Sequence, residues 1–165
     1  GERLRLDIYG PRPEDLKAYG LAAVPPSVTA HGPVTQATAM AGVARADFSV
    51  LLRRPDKVAT AGFPTKFVES LAVGTPVIAT LTSDLADHLV DGENGLICRD
   101  ASPETVARAL ERALALSGRE KSALRKAARH TAETGFDYRR HTDGLRRLVE
   151  AVSCAKDART KRTGT

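Results

Sequence analysis

The chain has 165 residues, of which 42% are hydrophobic and 27% charged, and its formal net charge is +5. Such a composition, with both signs of charge interspersed, is typical of a folded domain and excludes a disordered or collagen-like chain. No apolar run approaches the roughly 18 residues that span a bilayer, and Cys98 and Cys154 lack the spacing of a disulfide scaffold or zinc site. A reducing, cytoplasmic setting is therefore expected, and no export signal is visible.

The positive charge is concentrated at the C-terminal end. Residues 1–118 carry 12 Lys or Arg and 14 Asp or Glu, whereas residues 119–165 carry 13 and 6. Aromatic residues make up 4% of the chain and tryptophan is absent, so a stacking surface for single-stranded nucleic acid is missing. Because the body of the domain is not basic, nucleic acid is not an expected partner.

Strands and helices alternate along the first hundred residues. Alternation of this kind predicts an α/β fold, a Rossmann-like parallel sheet with helices on both faces. The nearly continuous apolar run Phe48–Leu52 predicts a strand that is buried on both faces, in the interior of that sheet. Ser83 and Asp84 are predicted N-caps of the helix that they open. The predicted strands lie at 4–9, 28–31, 47–52, 76–80 and 96–98, and the predicted helices between them at 13–19, 35–45, 65–73 and 84–90.

Helices dominate the sequence after the last predicted strand. Ser102 is a predicted N-cap, and Pro103 suits the first position of the helix that follows. Two more helices are predicted at 119–133 and 138–152. Residues 153–165 are polar, basic and without periodicity, and they are expected to form a disordered tail. The sequence thus predicts one domain over residues 1–152 and a tail over 153–165.

The predicted loop 53–62, which follows the apolar run, and the helix after it form the candidate ligand site. In open parallel sheets, ligands bind at the carboxyl ends of the strands, beside helix N-termini. Gly62 permits close approach of the backbone, and the helix that begins near Thr65 presents unpaired N–H groups. A phosphate at this position would also meet the positive charges of Arg53, Arg54 and Lys66.

Each of these side chains also has a purely structural explanation. Lys66 and Glu69 are three residues apart on a predicted helix, a spacing at which they form a solvated ion pair. Arg53 is equally an ordinary charge at the end of a strand. His31 is predicted to be a structural histidine, because no nucleophile is visibly paired with it. The residues alone leave these alternatives open.

The run Ala61–Thr80, continued by Asp91–Ile97, resembles the donor-binding domain of family 4 glycosyltransferases. That family has a Gly-Phe loop, a helix that bears a glutamate, an Ala-x-Gly-x-Pro-Val segment and an Asp-Gly-x-x-Gly turn, in this order. Upstream, His31–Val34 and Ala46–Leu51 also resemble segments of the family, so the resemblance covers residues 4–152. It implies that the chain is the C-terminal half of a glycosyltransferase of the GT-B type.

The resemblance implies donor-binding roles for seven residues. Glu69 matches the glutamate whose carboxylate accepts hydrogen bonds from the ribose hydroxyls of the nucleotide. Arg53 sits where a strand-end residue of the family approaches the phosphates. The loop whose amides face the donor sugar and diphosphate is matched by Gly62, Phe63, Pro64, Thr65 and Lys66.

The implied reaction transfers a hexosyl group from a nucleoside-diphosphate sugar to an acceptor, with retention of anomeric configuration. It requires no enzyme nucleophile, and no catalytic residue is identified. Arginine, lysine and helix amides neutralise the leaving diphosphate in such enzymes, so neither a metal nor another cofactor is expected.

The chain departs from the family pattern at two places. Ala61 stands where the family has a first glutamate that contacts the donor sugar. This favours a branch of the family with the sequence Ala-Gly-Phe-Pro-Thr-Lys; the alternative is a non-catalytic nucleotide-binding or protein-interaction module of the same fold. The opening strand, basic loop and helix of the family's domain are absent before Leu4, as is the acceptor-binding domain. The chain is therefore expected to be incomplete and inactive alone.

The implied partners are the nucleotide-sugar donor and an N-terminal acceptor-binding domain. The helix around Tyr138 to Val152 resembles the segment that returns toward that domain, and its arginines face either the domain or acidic lipid. The corresponding expectation is a cytoplasmic enzyme of polysaccharide biosynthesis, peripheral to the inner face of the membrane.

Overall fold

The computed structural model describes residues 4–20 and 23–162. Within these residues, five strands are connected by seven α-helices and several shorter turns. The strands are Leu6–Ile8 (β1), Val28–Ala30 (β2), Ser49–Leu51 (β3), Val77–Thr80 (β4) and Gly95–Cys98 (β5). The helices are Pro13–Ala18 (α1), Gln36–Arg45 (α2), Lys57–Ala61 (α3), Thr65–Ala72 (α4), Pro103–Ala115 (α5), Gly118–Thr131 (α6) and Thr142–Arg162 (α7). Among the described residues, no helix combines the length and the apolar character needed to cross a membrane.

All strand pairs are parallel, and they form two sheets. β1 pairs with β2, and β4 lies between β3 and β5, with Val77 opposite both Ser49 and Gly95. On one face of β4, Val77 belongs to a buried cluster with Phe67 of α4. On the other face, Ile78 belongs to a second cluster that includes side chains of α5. A parallel sheet with helices on both faces confirms the predicted fold class.

β3 is not the interior strand that its apolar run predicts. It is hydrogen-bonded only to β4, and Val50 at its centre is 43% exposed. All four residues of β4 are buried instead, because β4 has a strand on each side and helices on both faces. β1 is also paired on one side only, so each sheet in the described part of the chain has an open edge at β1 or β3.

Two local predictions around the candidate site were wrong. The segment 53–62, predicted to be a loop, contains the short helix α3, which Asp56 caps by accepting a hydrogen bond from the Ala59 amide at 2.7 Å. Ser83 and Asp84 open a 3-10 helix, but its N-cap position is Thr82, and that side chain makes no capping hydrogen bond. α3 was not predicted because a helix of five residues is too short to show apolar periodicity.

Of the C-terminal helices, α5 begins at its predicted cap, α6 begins after a cap that was not predicted, and α7 extends beyond its predicted end. Ser102 caps α5 and Ser117 caps α6, each by accepting a hydrogen bond from an amide three residues on. α7 continues to Arg162, through most of the segment predicted to be a disordered tail (153–165). Its Ala, Lys and Arg residues are strong helix formers, and helicity does not require an apolar stripe. Residues 163–165 of the predicted tail lie outside the described residues.

Close packing requires glycine at position 95. A Cβ there would lie 2.5 Å from the carbonyl oxygen of Val77 and 2.6 Å from Cδ1 of Leu89. We expect Gly95→Ala to lower the free energy of unfolding by about 2 kcal/mol or more, since relief of the clash would break the ladder between β4 and β5. Denaturant unfolding followed by circular dichroism measures this change.

Gly118→Ala is the matched control for that substitution. Gly118 begins α6, and nothing lies within 4 Å of a Cβ built there. We expect this variant to keep the stability of the parent or to gain up to about 1 kcal/mol, because alanine has the higher helix propensity. Equal effects at the two positions would contradict the packing of Gly95 against β4.

Candidate functional site

Arg53 and the start of α4, both singled out in the sequence, lie at the carboxyl edge of the three-stranded sheet. Because β3, β4 and β5 are parallel, the chain leaves all three at this edge, with Arg53 after β3, Thr82 after β4 and Asp100 after β5. α4 leads from the end of β3 to the start of β4, so its N-terminus lies at the same edge. This is the position at which parallel sheets bind ligands.

α4 begins without a side-chain cap. Its N-cap residue is Pro64, which has no polar side chain, and Thr65 at the first helical position is exposed. The Phe67 amide donates to the Pro64 carbonyl at 2.9 Å. The amides of Thr65 and Lys66, which precede Phe67 in the first turn, have no partner within the helix, and the helix dipole adds partial positive charge. This end of α4 is therefore suited to an anion.

Arg53 is held at two points beside the start of α4. Its amide donates to Thr80 Oγ1 at 2.8 Å, and the Thr80 hydroxyl donates to the Arg53 carbonyl at 2.7 Å. Its guanidinium Nη1 donates to the carbonyl of Gly62 at 2.9 Å, in the turn that precedes the helix. The positive charge of Arg53 is thus fixed at the carboxyl edge.

Lys66 and Glu69 form the ion pair that their spacing permits. Lys66 Nζ lies 2.8 Å from Glu69 Oε2, with the two side chains 71% and 29% exposed. Ion pairs at this exposure contribute at most about 1 kcal/mol to stability. A bound anion or hydroxyl can therefore replace either partner at little cost, and the pair does not decide between a structural and a ligand role.

Phe63 turns its ring toward the core. The ring meets those of Phe67, His88 and Phe136 at centroid distances of 6.2, 5.7 and 5.6 Å. Pro64, the next residue, is buried. The side chains of Phe63 and Pro64 therefore pack against the core, and the backbone of the loop is the part that is available to a ligand.

His31 has a structural partner, as predicted. Its Nε2 lies 2.7 Å from Asp7 Oδ1, and its ring stacks on that of Tyr9 at 4.6 Å. The hydrogen bond from His31, and then that from Arg5, lowers the pKa of the Asp7 carboxyl. These contacts tie β1 to the residues that follow β2.

Sequence analysis missed two threonines at the carboxyl edge. Thr80 and Thr82 are 4% and 6% exposed, and the hydroxyl of Thr82 has no hydrogen-bond partner within the described part of the chain. Ser83, which follows, has a φ of 54° in the left-handed region. The available signal was the run of hydroxyl residues where the apolar strand β4 reaches its carboxyl end.

A cavity with basic residues in its wall lies apart from the carboxyl edge. It has a volume of about 420 Å³ and lies between Gly74 and α6, with Arg125 and Arg129 in its wall. Arg125 donates to the carbonyls of Ala44 and Ala46, and Arg129 to that of Ala72. These arginines therefore cap the C-terminal ends of α2 and α4, which explains their presence without a ligand.

Ser83→Gly tests the backbone conformation at the carboxyl end of β4. Left-handed backbone strains a serine but not a glycine. We expect the variant to raise the free energy of unfolding by about 1 kcal/mol. Ser122→Gly, at an exposed helical position, is expected to lower it by roughly 0.5 kcal/mol. Equal losses in both variants by denaturant unfolding would contradict the strained conformation of Ser83.

Asp100 gives the carboxyl edge a pH-dependent contribution to stability. Hydrogen bonds from Ser102 and then from Thr105 hold the pKa of the Asp100 carboxyl well below its ordinary value of 3.8. A depressed folded-state pKa means that this contribution is complete above pH 3.8 and is lost as the pH falls toward the folded-state pKa. We expect Asp100→Asn to be less stable than the parent at neutral pH, with a difference that shrinks below pH 3.8. A difference that is constant between pH 7 and pH 3 in urea titrations would refute this expectation.

Comparison with known proteins identifies the group to which this arrangement belongs. The family model described as "Glycosyl transferases group 1" matches residues 1–116. A comparison with curated protein sequences gives no match. Sucrose-phosphate synthase from Thermosynechococcus elongatus has a similar structure, with a TM-score of 0.73 at 21% identity, over 92% of this chain and 39% of that protein.

Two further solved structures are similar. HepE of Anabaena in complex with UDP and glucose has a TM-score of 0.64 at 16% identity, over 84% of this chain and 35% of that protein. The C-terminal domain of a group 1 family glycosyl transferase (LpcC) from Francisella tularensis has a TM-score of 0.56 at 20% identity, over 75% of this chain and 60% of that domain. At these identities the similarity establishes the fold, that of GT-B glycosyltransferases. The chain spans less than two thirds of the length of each.

The residues matched by the family model include β1 to β5, α1 to α4 and the whole carboxyl edge described above. They make up more than two thirds of the 165 residues. The chain belongs to the glycosyl transferase group 1 family.

Proposed function

We propose that the chain is the donor-binding half of a retaining glycosyltransferase of family 4, which transfers a hexosyl group from a nucleoside-diphosphate sugar. The observation that carries the proposal is the uncapped N-terminus of α4 at the carboxyl edge, flanked by the basic side chains of Arg53 and Lys66. Membership of the group 1 family supports it. HepE binds UDP and glucose in its solved structure, so UDP is the first nucleotide to test.

The diphosphate of the donor is assigned to the first turn of α4. Amides at a helix start bind phosphate oxygens well because they point outward and carry partial positive charge. Lys66 is mostly exposed and can turn to a phosphate, and Arg53 is already fixed beside the turn. Together these groups stabilise the charge that develops on the leaving diphosphate. The proposal includes no metal or other cofactor and no enzyme nucleophile.

The ribose of the nucleotide is assigned to Glu69. This residue lies one turn after the helix start, and a carboxylate accepts two hydroxyl donors at once. Its side chain is 29% exposed, which leaves it accessible while partly shielding it from water. When Lys66 turns to the diphosphate, the carboxylate is released from their ion pair for the ribose.

The donor sugar is assigned to the backbone of the loop at Gly62, Phe63 and Pro64. Ala61 is exposed at the end of α3 and offers no hydrogen-bonding side chain. Sugar recognition therefore depends on main-chain groups and on residues outside this chain. A full-length protein that binds UDP-sugars but transfers no sugar would favour the alternative of a non-catalytic module.

The acceptor-binding part of the protein is assigned to the exposed face of α7. Four apolar side chains share this face at helical spacing, and each is between 56% and 61% exposed. Over residues 142–152, Asp143 and Glu150 offset Arg146 and Arg147 on the remaining faces, so this part of the helix suits a protein surface better than acidic lipid. The four apolar residues are Leu145, Leu148, Val149 and Val152.

The open edges of β1 and β3 support an incomplete sheet. Leu6 and Val50 lie on these strands and are 39% and 43% exposed, although edge strands ordinarily carry charges or proline. The apolar run around β3 is of the kind found in interior strands. We assign to the longer protein a further parallel strand that covers these edges.

Glu69→Gln tests the assignment of the ribose. We expect the parent chain to bind UDP about tenfold more tightly than 2′-deoxy-UDP, because one hydroxyl bond to a buried or half-buried carboxylate is lost in the deoxy ligand. The variant should bind UDP about tenfold more weakly and should no longer discriminate between the two nucleotides. Titration followed by NMR measures both affinities, including weak ones.

Glu133→Gln is the control for loss of a surface ion pair. Glu133 lies 2.7 Å from Arg129 in an i,i+4 pair whose side chains are both 54% exposed, away from the carboxyl edge. We expect it to leave both affinities unchanged. If Glu69→Gln bound UDP and 2′-deoxy-UDP as the parent does, the proposed donor site would be wrong.

A further inference from the structure

We propose that Thr80 is a positioning residue, which presents Arg53 to the diphosphate of the donor. This inference rests on the proposed function and adds to it a residue that does not touch the ligand. Thr80 is 4% exposed at the end of β4, and its hydroxyl is hydrogen-bonded to the backbone of Arg53.

The two hydrogen bonds of the Thr80 side chain connect the two chain segments beyond the point where the backbone pairing of β3 with β4 ends. The ladder between β3 and β4 stops at Leu51 opposite Ala79. Arg53 lies two residues after Leu51. Its amide donates a hydrogen bond to the Thr80 hydroxyl at 2.8 Å, and that hydroxyl donates one to the Arg53 carbonyl at 2.7 Å. A single buried hydroxyl thereby fixes both polar groups of one residue, which a valine of the same shape cannot do.

The side chain of Arg53 is fixed from its other end. Nη1 donates to the Gly62 carbonyl at 2.9 Å, whereas Nε and Nη2 make no hydrogen bond to another residue that the structure describes. A long side chain ordinarily loses rotamer freedom when it binds a ligand. Because Arg53 is anchored at its backbone and at Nη1, most of this rotamer freedom is already lost before a ligand binds. The remaining N–H donors of its planar guanidinium suit a diphosphate.

A buried threonine just before the same strand supplies a matched control. Thr75, just before β4, is fully buried, and its hydroxyl donates to the carbonyl of Val43 at 2.8 Å. Thr75→Val therefore also removes a buried bond from a threonine to the backbone. It does so at the amino end of β4, remote from the carboxyl edge.

The test compares UDP with uridine on the 165-residue chain by NMR titration. We expect Thr80→Val to weaken UDP binding threefold to tenfold, the range set by immobilising one arginine side chain, and to leave uridine binding unchanged. Thr80→Ser should restore UDP binding because it restores the hydroxyl. Thr75→Val should affect neither ligand. In an Arg53→Ala background, Thr80→Val should cause no further loss.

Hydrogen exchange without ligand gives a second readout, and Thr80→Ala replaces Thr80→Val if the valine variant does not fold. The Gly62 amide donates to the Val58 carbonyl at 3.2 Å, and Arg53 holds the carbonyl of the same residue. We therefore expect faster exchange of the Gly62 amide in both Thr80 variants and in Arg53→Ala, but not in Thr75→Val. Unchanged exchange at Gly62 in the Thr80 variants would overturn the positioning role.

The outcomes separate this inference from the proposed function. If neither Arg53→Ala nor Glu69→Gln weakens UDP binding, the donor site itself is wrong. If Arg53→Ala weakens UDP binding while Thr80→Val behaves like Thr75→Val, the donor site stands and the role of Thr80 is overturned. Equal weakening of UDP and uridine by Thr80→Val would assign Thr80 a general structural role and would also overturn the inference.

Discussion

β4 is hydrogen-bonded to a strand on each side and covered by helices on both faces, and the other elements are positioned relative to it. Its alternating side chains enter two separate clusters, one with α4 and one with α5. The buried hydroxyl of its last residue, Thr80, fixes the backbone of Arg53 at the carboxyl edge. The geometry of the candidate site is therefore a direct extension of the packing of one strand, and a displacement of β4 would move both the core and the site.

The fold could be predicted from the sequence where local signals and tertiary packing agree. Ser102 followed by Pro103 specifies the start of α5 by capping and by backbone geometry alone, and the structure has that start. The failures occur where the neighbours of an element decide the outcome. The apolar run at β3 indicates a strand that needs cover, but nothing in the run shows whether a strand lies on its second side. The helical continuation of α7 depends on propensity, which periodicity does not report.

The candidate site could be predicted only in part, for a similar reason. The spacing of Lys66 and Glu69 places them on one helix face, and the order of strand, loop and helix places Arg53 near the helix start. The direction of the Phe63 ring and the bonds between Thr80 and Arg53 depend on contacts between residues far apart in sequence. Thr80 and Arg53 are separated by 27 residues, and no local pattern connects them. Exposed charged residues near a helix start are thus easier to find in a sequence than the buried residues that hold them.

The hydrogen bonds of Arg125 have a consequence for the order in which the chain assembles. β1 with β2, and β3 with β4 and β5, are pairs of strands that follow one another along the chain. Arg125 instead joins α6 to the carbonyls of Ala44 and Ala46, across 81 and 79 residues respectively. Closing so large a loop costs more entropy than closing the short crossovers between strands. We therefore expect the local sheets to form early in folding and the hydrogen bonds between Arg125 and the end of α2 to form late. The same hydrogen bonds are then expected to be the first to break in unfolding.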